Sequence, residues 1–127
     1  ITICYNILMT DCIFCKIVKG EIPSYKVYED ENFLAFLDIN PKSPGHTQII
    51  PKNHYKWVWD VPNVGKYFEI AQKIAKAQQK AFSTEMIRSR VEGEEIPHAH
   101  IWVFPGAETI GDVKDFETNL KKIISAL

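Results

Sequence analysis

Apolar and polar positions keep two different rhythms along this chain. From Val64 to Phe82, the residues Val64, Phe68, Ala71, Ile74, Ala75, Gln78 and Phe82 recur at three- and four-residue steps with Lys and Gln between them. That spacing predicts an amphipathic helix. Val113 to Ala126 repeats it, with Phe116, Leu120, Ile123 and Ile124 on one face. Elsewhere the rhythm is that of strands. Lys26-Val-Tyr-Glu29 and Asn32-Phe-Leu-Ala-Phe-Leu-Asp38 read as two strands joined by the turn-like Asp30-Glu31, and Thr47 to Pro51 as a third stopped by proline. Met86 to Glu92 alternates apolar with polar and ends at Gly93, and His98 to Phe104 is closed by Pro105-Gly106. Asn40-Pro-Lys-Ser-Pro44-Gly45 is a loop by its Pro and Gly content. Five strands and two helices without regular alternation predict an α+β fold on an antiparallel sheet.

The remaining stretches add little structure of their own. Lys56-Trp-Val-Trp-Asp60, read at strand alternation, puts Trp57 and Trp59 on one side as core or dimer contacts. Nothing repeats, and no Ser/Gly linker divides the chain, so residues 11–127 are expected to form a single domain behind an N-terminal extension of residues 1–10. The apolar start has no basic flank or small-residue cleavage site and is far shorter than the ~20 residues of a membrane span. Met9 directly precedes Thr10-Asp11-Cys12, and the natural protein is expected to begin there, which leaves Cys4 in upstream sequence.

Composition narrows the class. At 127 residues the chain can bury a full core, so no staples are required. Its 15 Lys and Arg against 16 Asp and Glu give a formal charge of −1, without the clustered basic face that nucleic-acid binding needs. Three cysteines cannot all pair. An odd count disfavours a secreted disulfide framework and favours the cytoplasm, where thiols pack or hold metals.

The chemistry concentrates on one strand. Side chains alternate, so His98, His100, Trp102 and Phe104 share one face while Ala99, Ile101 and Val103 face the core. Two imidazoles ~6.6 Å apart on an apolar strand need partners or a task. One reading makes one ring a metal ligand or orienter and the other a nucleophile or general base, since an unperturbed pKa of ~6.5 leaves imidazole largely neutral at cellular pH.

Pro97-His98-Ala-His100-Ile-Trp102-Val-Phe104-Pro105 resembles the signature of the histidine-triad (HIT) superfamily, in which three His alternate with apolar residues. Cys12-Ile-Phe-Cys15, Phe33-Leu-Ala-Phe-Leu-Asp-Ile-Asn-Pro41 and Pro44-Gly-His-Thr-Gln-Ile-Ile-Pro-Lys-Asn-His54 are similar, in the same order, to its bacterial Hint-type branch, over roughly residues 11–105. The resemblance implies a fold whose five-stranded sheet continues across a homodimer, with a nucleotide site on each protomer.

It also implies roles. His100 matches the residue that attacks the α-phosphorus of a purine nucleotide phosphoramidate or dinucleotide, giving a nucleotidyl-histidine that water hydrolyses. Asp38 matches the residue that accepts from the ribose hydroxyls; a turn-forming role is the alternative. Phe33 and Ile39 match the apolar wall of the base pocket, and His46 a residue near the site's rim. The loop before the strand holds Gly93-Glu94-Glu95 where relatives carry phosphate-binding donors, and Trp102 stands in place of the third His. The Trp102 N–H either donates to a phosphate oxygen or the ring simply fills space. Cys12, Cys15, His54 and His98 match a structural zinc site, Zn2+ being the one cofactor implied. Two functions follow: a hydrolase or transferase acting through His100, or a zinc-stabilised nucleotide-binding module. Stacking of RNA on Trp57, Trp59 and Trp102 is disfavoured by the charge, and neither nucleic acid nor a membrane is expected as a partner.

Overall fold

A run of buried β-prone residues at the centre of the chain builds the sheet in the computed structural model, which describes residues 11–127. The expected extension and the start at Met9 lie outside the described residues. Strands β1 (Lys26–Glu29), β2 (Phe33–Leu37), β3 (Thr47–Pro51), β4 (Ile87–Val91) and β5 (Ile101–Pro105) form one antiparallel sheet in the order β1-β2-β3-β5-β4. β2 and β3 are buried on both faces, because each face carries its own core.

Helices α2 (Val64–Phe82) and α3 (Phe116–Ala126) cover one face. Phe33, Ala35, Leu37, Ile49, Ala99, Ile101 and Val103 meet Tyr67, Ile70 and Ile74 there. A short helix, α1 (Ile13–Val18), covers the other face, packing Phe14 and Ile17 on Leu34, Phe36 and Ile50. Its first turn is capped by Cys12, whose Sγ accepts the Cys15 N–H at 3.3 Å.

Three expectations shift. The buried stripe of α2 is Tyr67, Ile70, Ile74, Ala77, Gln78 and Phe82, while Val64 and Phe68 are exposed. Tyr67 sets this rotation: its ring is wholly buried, with its hydroxyl donating to the Ile49 carbonyl at 2.6 Å. Ile124 is likewise exposed, and Asn119 takes the inward position on α3 and donates to the Asp112 carbonyl. Residues 58–60 form a 3-10 turn rather than a strand; only Val58 is buried, and Trp57 and Trp59 face outward. Among the described residues no neighbouring strand pairs with this segment, and the turn satisfies its own backbone through Asp60 N–H to Trp57 O.

Two residues fix the loop that leads into β3. The Gln78 amide donates to the carbonyls of Gly45 and Val103, tying α2 to β3 and β5. Gly45 has φ +80°, and a Cβ there would come within 2.5 Å of the Phe82 ring, so only glycine fits the turn.

Candidate functional site

β5 is hydrogen-bonded into the sheet only from Ile101, yet the alternation expected from His98 onward holds. Ala99, Ile101 and Val103 enter the core beneath the helices, and His98 and His100 point to the other side, against the edge of the Phe14 ring. The segment before β5 is fixed instead by the Ala99 N–H, which donates to the Tyr55 carbonyl at 2.6 Å.

Each histidine has one nitrogen fixed by backbone. His98 Nε2 donates to the Pro51 carbonyl at 2.9 Å, and His100 Nδ1 donates to the His98 carbonyl at 2.9 Å. The tautomers follow: Nδ1 of His98 and Nε2 of His100 carry the lone pairs. Burial is the main cause that lowers the pKa of His98 to about 4, so its ring is neutral.

That His98 lone pair faces two sulfurs. Cys12 Sγ lies 3.2 Å and Cys15 Sγ 3.4 Å from His98 Nδ1, and Cys15 Sγ lies 3.2 Å from His54 Nδ1. All four donors are buried and lie within 4.8 Å of one another. A tetrahedral ion with bonds of ~2.3 Å to sulfur and ~2.0 Å to nitrogen needs S···N separations of about 3.5 Å. The cluster is close to that shape and can hold a metal.

On the same face, a cleft of about 340 Å³ is lined by Asp38, Asn40, Lys42, Gln48, His100, Trp102 and the loop from Glu92 to Ile96. Asp38, Glu94, Glu95, His100 and Trp102 are thus brought together. Asp38 directly follows β2, with one oxygen accepting the Asn40 N–H and the other the Gln48 amide at 3.1 Å; burial raises its pKa more than these bonds lower it. Ile39 is exposed beside it, outside the lining of the cleft.

Two assignments need correction. Phe33 faces the helices, its ring 4.8 Å from Tyr67, so it is no wall of this cleft; Leu34 and Phe36 take the site's side of β2. His46 lies under the floor, not at the rim. It is 1% exposed, stacked on Phe104 at 4.8 Å and edge-on to Trp102 at 5.0 Å. Its Nδ1 accepts the Lys42 N–H at 3.0 Å, which puts the proton on Nε2, 3.5 Å from Asp38. Burial, then Lys42, Arg90 and Arg88, depress its pKa to about 4.

Phe14, Gln48, Lys42 and Arg90 complete this face without having stood out in the sequence. Gln48 lies across from Trp102 on β3, as Arg90 does on β4, and these registers became visible only with the sheet assembled.

Comparison with known proteins bears on the same residues. The model of the HIT domain matches residues 19–109. A HIT-like protein of Methanocaldococcus jannaschii is 40% identical over 114 residues, 83% of this chain and 86% of its own. An adenylylsulfatase of Arabidopsis thaliana is 39% identical over 80% of this chain and 55% of its own length. An adenosine 5'-monophosphoramidase of Saccharomyces cerevisiae is 38% identical over 74% of this chain and 61% of its own. Among solved structures, a Zn-bound histidine triad family protein from Mycobacterium smegmatis superposes with a TM-score of 0.77 at 30% identity, covering 92% of this chain and 93% of that one. A family match that spans every strand of the sheet, with relatives near 40% identity, makes this chain a member of the HIT family.

Proposed function

We propose that the protein is a nucleotide hydrolase or transferase that acts at the α-phosphate of purine nucleotide phosphoramidates or dinucleotides through a nucleotidyl-His100 intermediate. The observation that carries this reading is the state of His100: its Nδ1 proton is held by the His98 carbonyl, and its Nε2 lone pair is left for the cleft. As Nε2 attacks, an N–P bond forms and the bond to the leaving group breaks, its electron pair departing with that group. The ring becomes cationic, and the carbonyl at Nδ1 stabilises the new charge. Water then forms a P–O bond as N–P breaks, giving up one proton to solvent and releasing the nucleoside monophosphate, and His100 regains its lone pair. In this reading Asp38, which lines the cleft, accepts from the ribose hydroxyls.

The Cys12, Cys15, His54 and His98 cluster holds Zn2+ in this reading, supported by two thiols and two imidazoles at near-tetrahedral spacing. When bound, the ion supplies structure, not chemistry at phosphorus. The chain's own residues do the rest: His98 links the cluster to the nucleophile through the backbone carbonyl that His100 binds.

Turnover of adenosine 5'-phosphoramidate that falls by roughly 10³-fold or more in His100→Ala, with a nucleotidyl adduct trapped on wild type by acid quench, is the expected result. A second reading, a zinc-stabilised nucleotide-binding module, is favoured by Glu94 and Glu95 lining the cleft, which repel a phosphate at close range. Saturable AMP binding by calorimetry without turnover by wild type selects that module.

A further inference from the structure

The structure assigns Trp57 as a positioning residue of the candidate site: its ring is the seat on which Gly93 rests, and it sets where the loop from Gly93 to Ile96 stands beside His100. Its effect on nucleotides rests on the hydrolase reading above, whereas the contact does not.

That loop has few other holds. β4 and β5 last pair at Val91 and Ile101. Further on, Ile96 packs on the core under α1, and the His98 N–H donates to the Ile96 carbonyl at 2.8 Å. Between those points, among the described residues, no hydrogen bond reaches the backbone of Gly93, Glu94 or Glu95. All three nevertheless line the cleft with His100. Glu92, Glu94 and Glu95 are exposed, and Gly93 in their midst is buried.

Trp57 is what buries it. A Cβ on Gly93 would stand 2.8 Å from Cζ3 and 2.9 Å from Cε3 of the indole, inside the ~3.5 Å at which carbon atoms pack. Gly93 has no left-handed φ, so glycine is needed here for room and not for backbone freedom. The same contact covers one side of the ring. Trp57 is 37% exposed, about half the 70% of Trp59.

The ring stands on a fixed base. Just before it, the Tyr55 carbonyl accepts the Ala99 N–H at 2.6 Å. Just after it, Val58 is 1% exposed in the core beneath the helices, and its carbonyl accepts the Val61 N–H to close the 3-10 turn. The Lys56 ammonium lies 5.5 Å from the ring centre. A side chain with two torsions on such a base has little play, so Gly93 follows the ring. A displacement on the order of 1 Å would move Glu94 and Glu95 against His100, and errors of that size cost up to ~10²-fold in a transfer step.

The test uses wild type, Trp57→Ala, Trp57→Phe, Gly93→Ala and the Trp57→Ala/Gly93→Ala pair, with the outward-facing Trp59→Ala as control. One readout is the rate at which a glutamate-specific protease cuts the folded protein after Glu94 and Glu95. The other is kcat/KM for adenosine 5'-phosphoramidate, with the affinity for AMP by calorimetry. Trp57→Ala is expected to speed cleavage and to lower kcat/KM and AMP affinity about tenfold, with Trp57→Phe recovering most of each loss and Trp59→Ala matching wild type. Gly93→Ala is expected to be as damaging alone, yet to cost nothing further in the pair, because the ring it would strike is gone. A general loss of stability would not show that cancellation. Either readout within about twofold of wild type in Trp57→Ala, or losses that simply add in the pair, overturns the assignment. A wild type that neither turns over the phosphoramidate nor binds AMP overturns the hydrolase reading instead, and faster cleavage in Trp57→Ala then still supports the contact.

Discussion

At the scale of the residue, burial decides which histidine carries which charge. His46 accepts the Lys42 N–H at Nδ1, so only Nε2 can hold its proton, and a second proton would place a buried cation beside Lys42, Arg88 and Arg90. Its pKa of about 4 in the fold lies below the unfolded value of 6.5, so at intermediate pH the unfolded chain binds the proton better. The stability this neutral ring contributes is complete above pH 6.5 and is lost as pH falls from there to about 4. The loss is on the order of 3 kcal/mol. His46→Asn, which keeps an acceptor for Lys42, is expected to flatten the fall in urea-unfolding free energy across that window. An unchanged slope would mean that His46 is not the group responsible. The sequence showed this ring but not its depth, because depth depends on Phe104 and Trp102 arriving from a strand far along the chain.

At the scale of the element, α1 shows how a cluster of candidate metal ligands can substitute for length. Six residues are too few to hold a helix on intrinsic preference, and this one carries Phe14 against both His98 and His100. Its anchors are Cys12 and Cys15, so Cys15→Ser or chelation is expected to release it. Zinc analysis should give about one ion per chain, and either treatment should lower the midpoint of thermal unfolding by on the order of 10 °C, since one ligand of a structural site contributes several kcal/mol. Unchanged melting after either treatment would remove the metal from the account. Legibility differed sharply between elements. The alternation His98, His100, Trp102 could be read because imidazoles alternate with apolar residues from His98 to Ile101, leading into β5. Phe33 could not be placed, since all five residues of β2 are buried and neither face is marked by polarity. α2 was recognisable as a helix, but its rotation was misjudged: Tyr67 is buried through a hydroxyl bond that spacing does not reveal, and Val64 and Phe68 are apolar without being core.

At the scale of the whole molecule, β4 leaves a question for a second copy of the chain. Among the described residues it is the edge of the sheet and pairs on one side only, with β5. Its five residues include no proline, and its two charged side chains, Arg88 and Arg90, stand on one face of the sheet, so its outward N–H and C=O groups can template a further strand. A two-fold pairing of β4 with its own copy would extend five strands to ten without an open edge at the join. On the helical face, Val64 and Phe68 on α2 expose 38% and 39% of their surface, apolar area that a partner would cover. Light scattering is therefore expected to give about twice the 14.6 kDa of one chain, with an unfolding midpoint that rises with protein concentration. Phe68→Glu places a charge in that contact and should shift the mass toward a single chain at micromolar concentration, at little cost to the fold because the side chain lies outside the core. A wild-type mass of one chain across the whole concentration range would show that β4 remains an open edge.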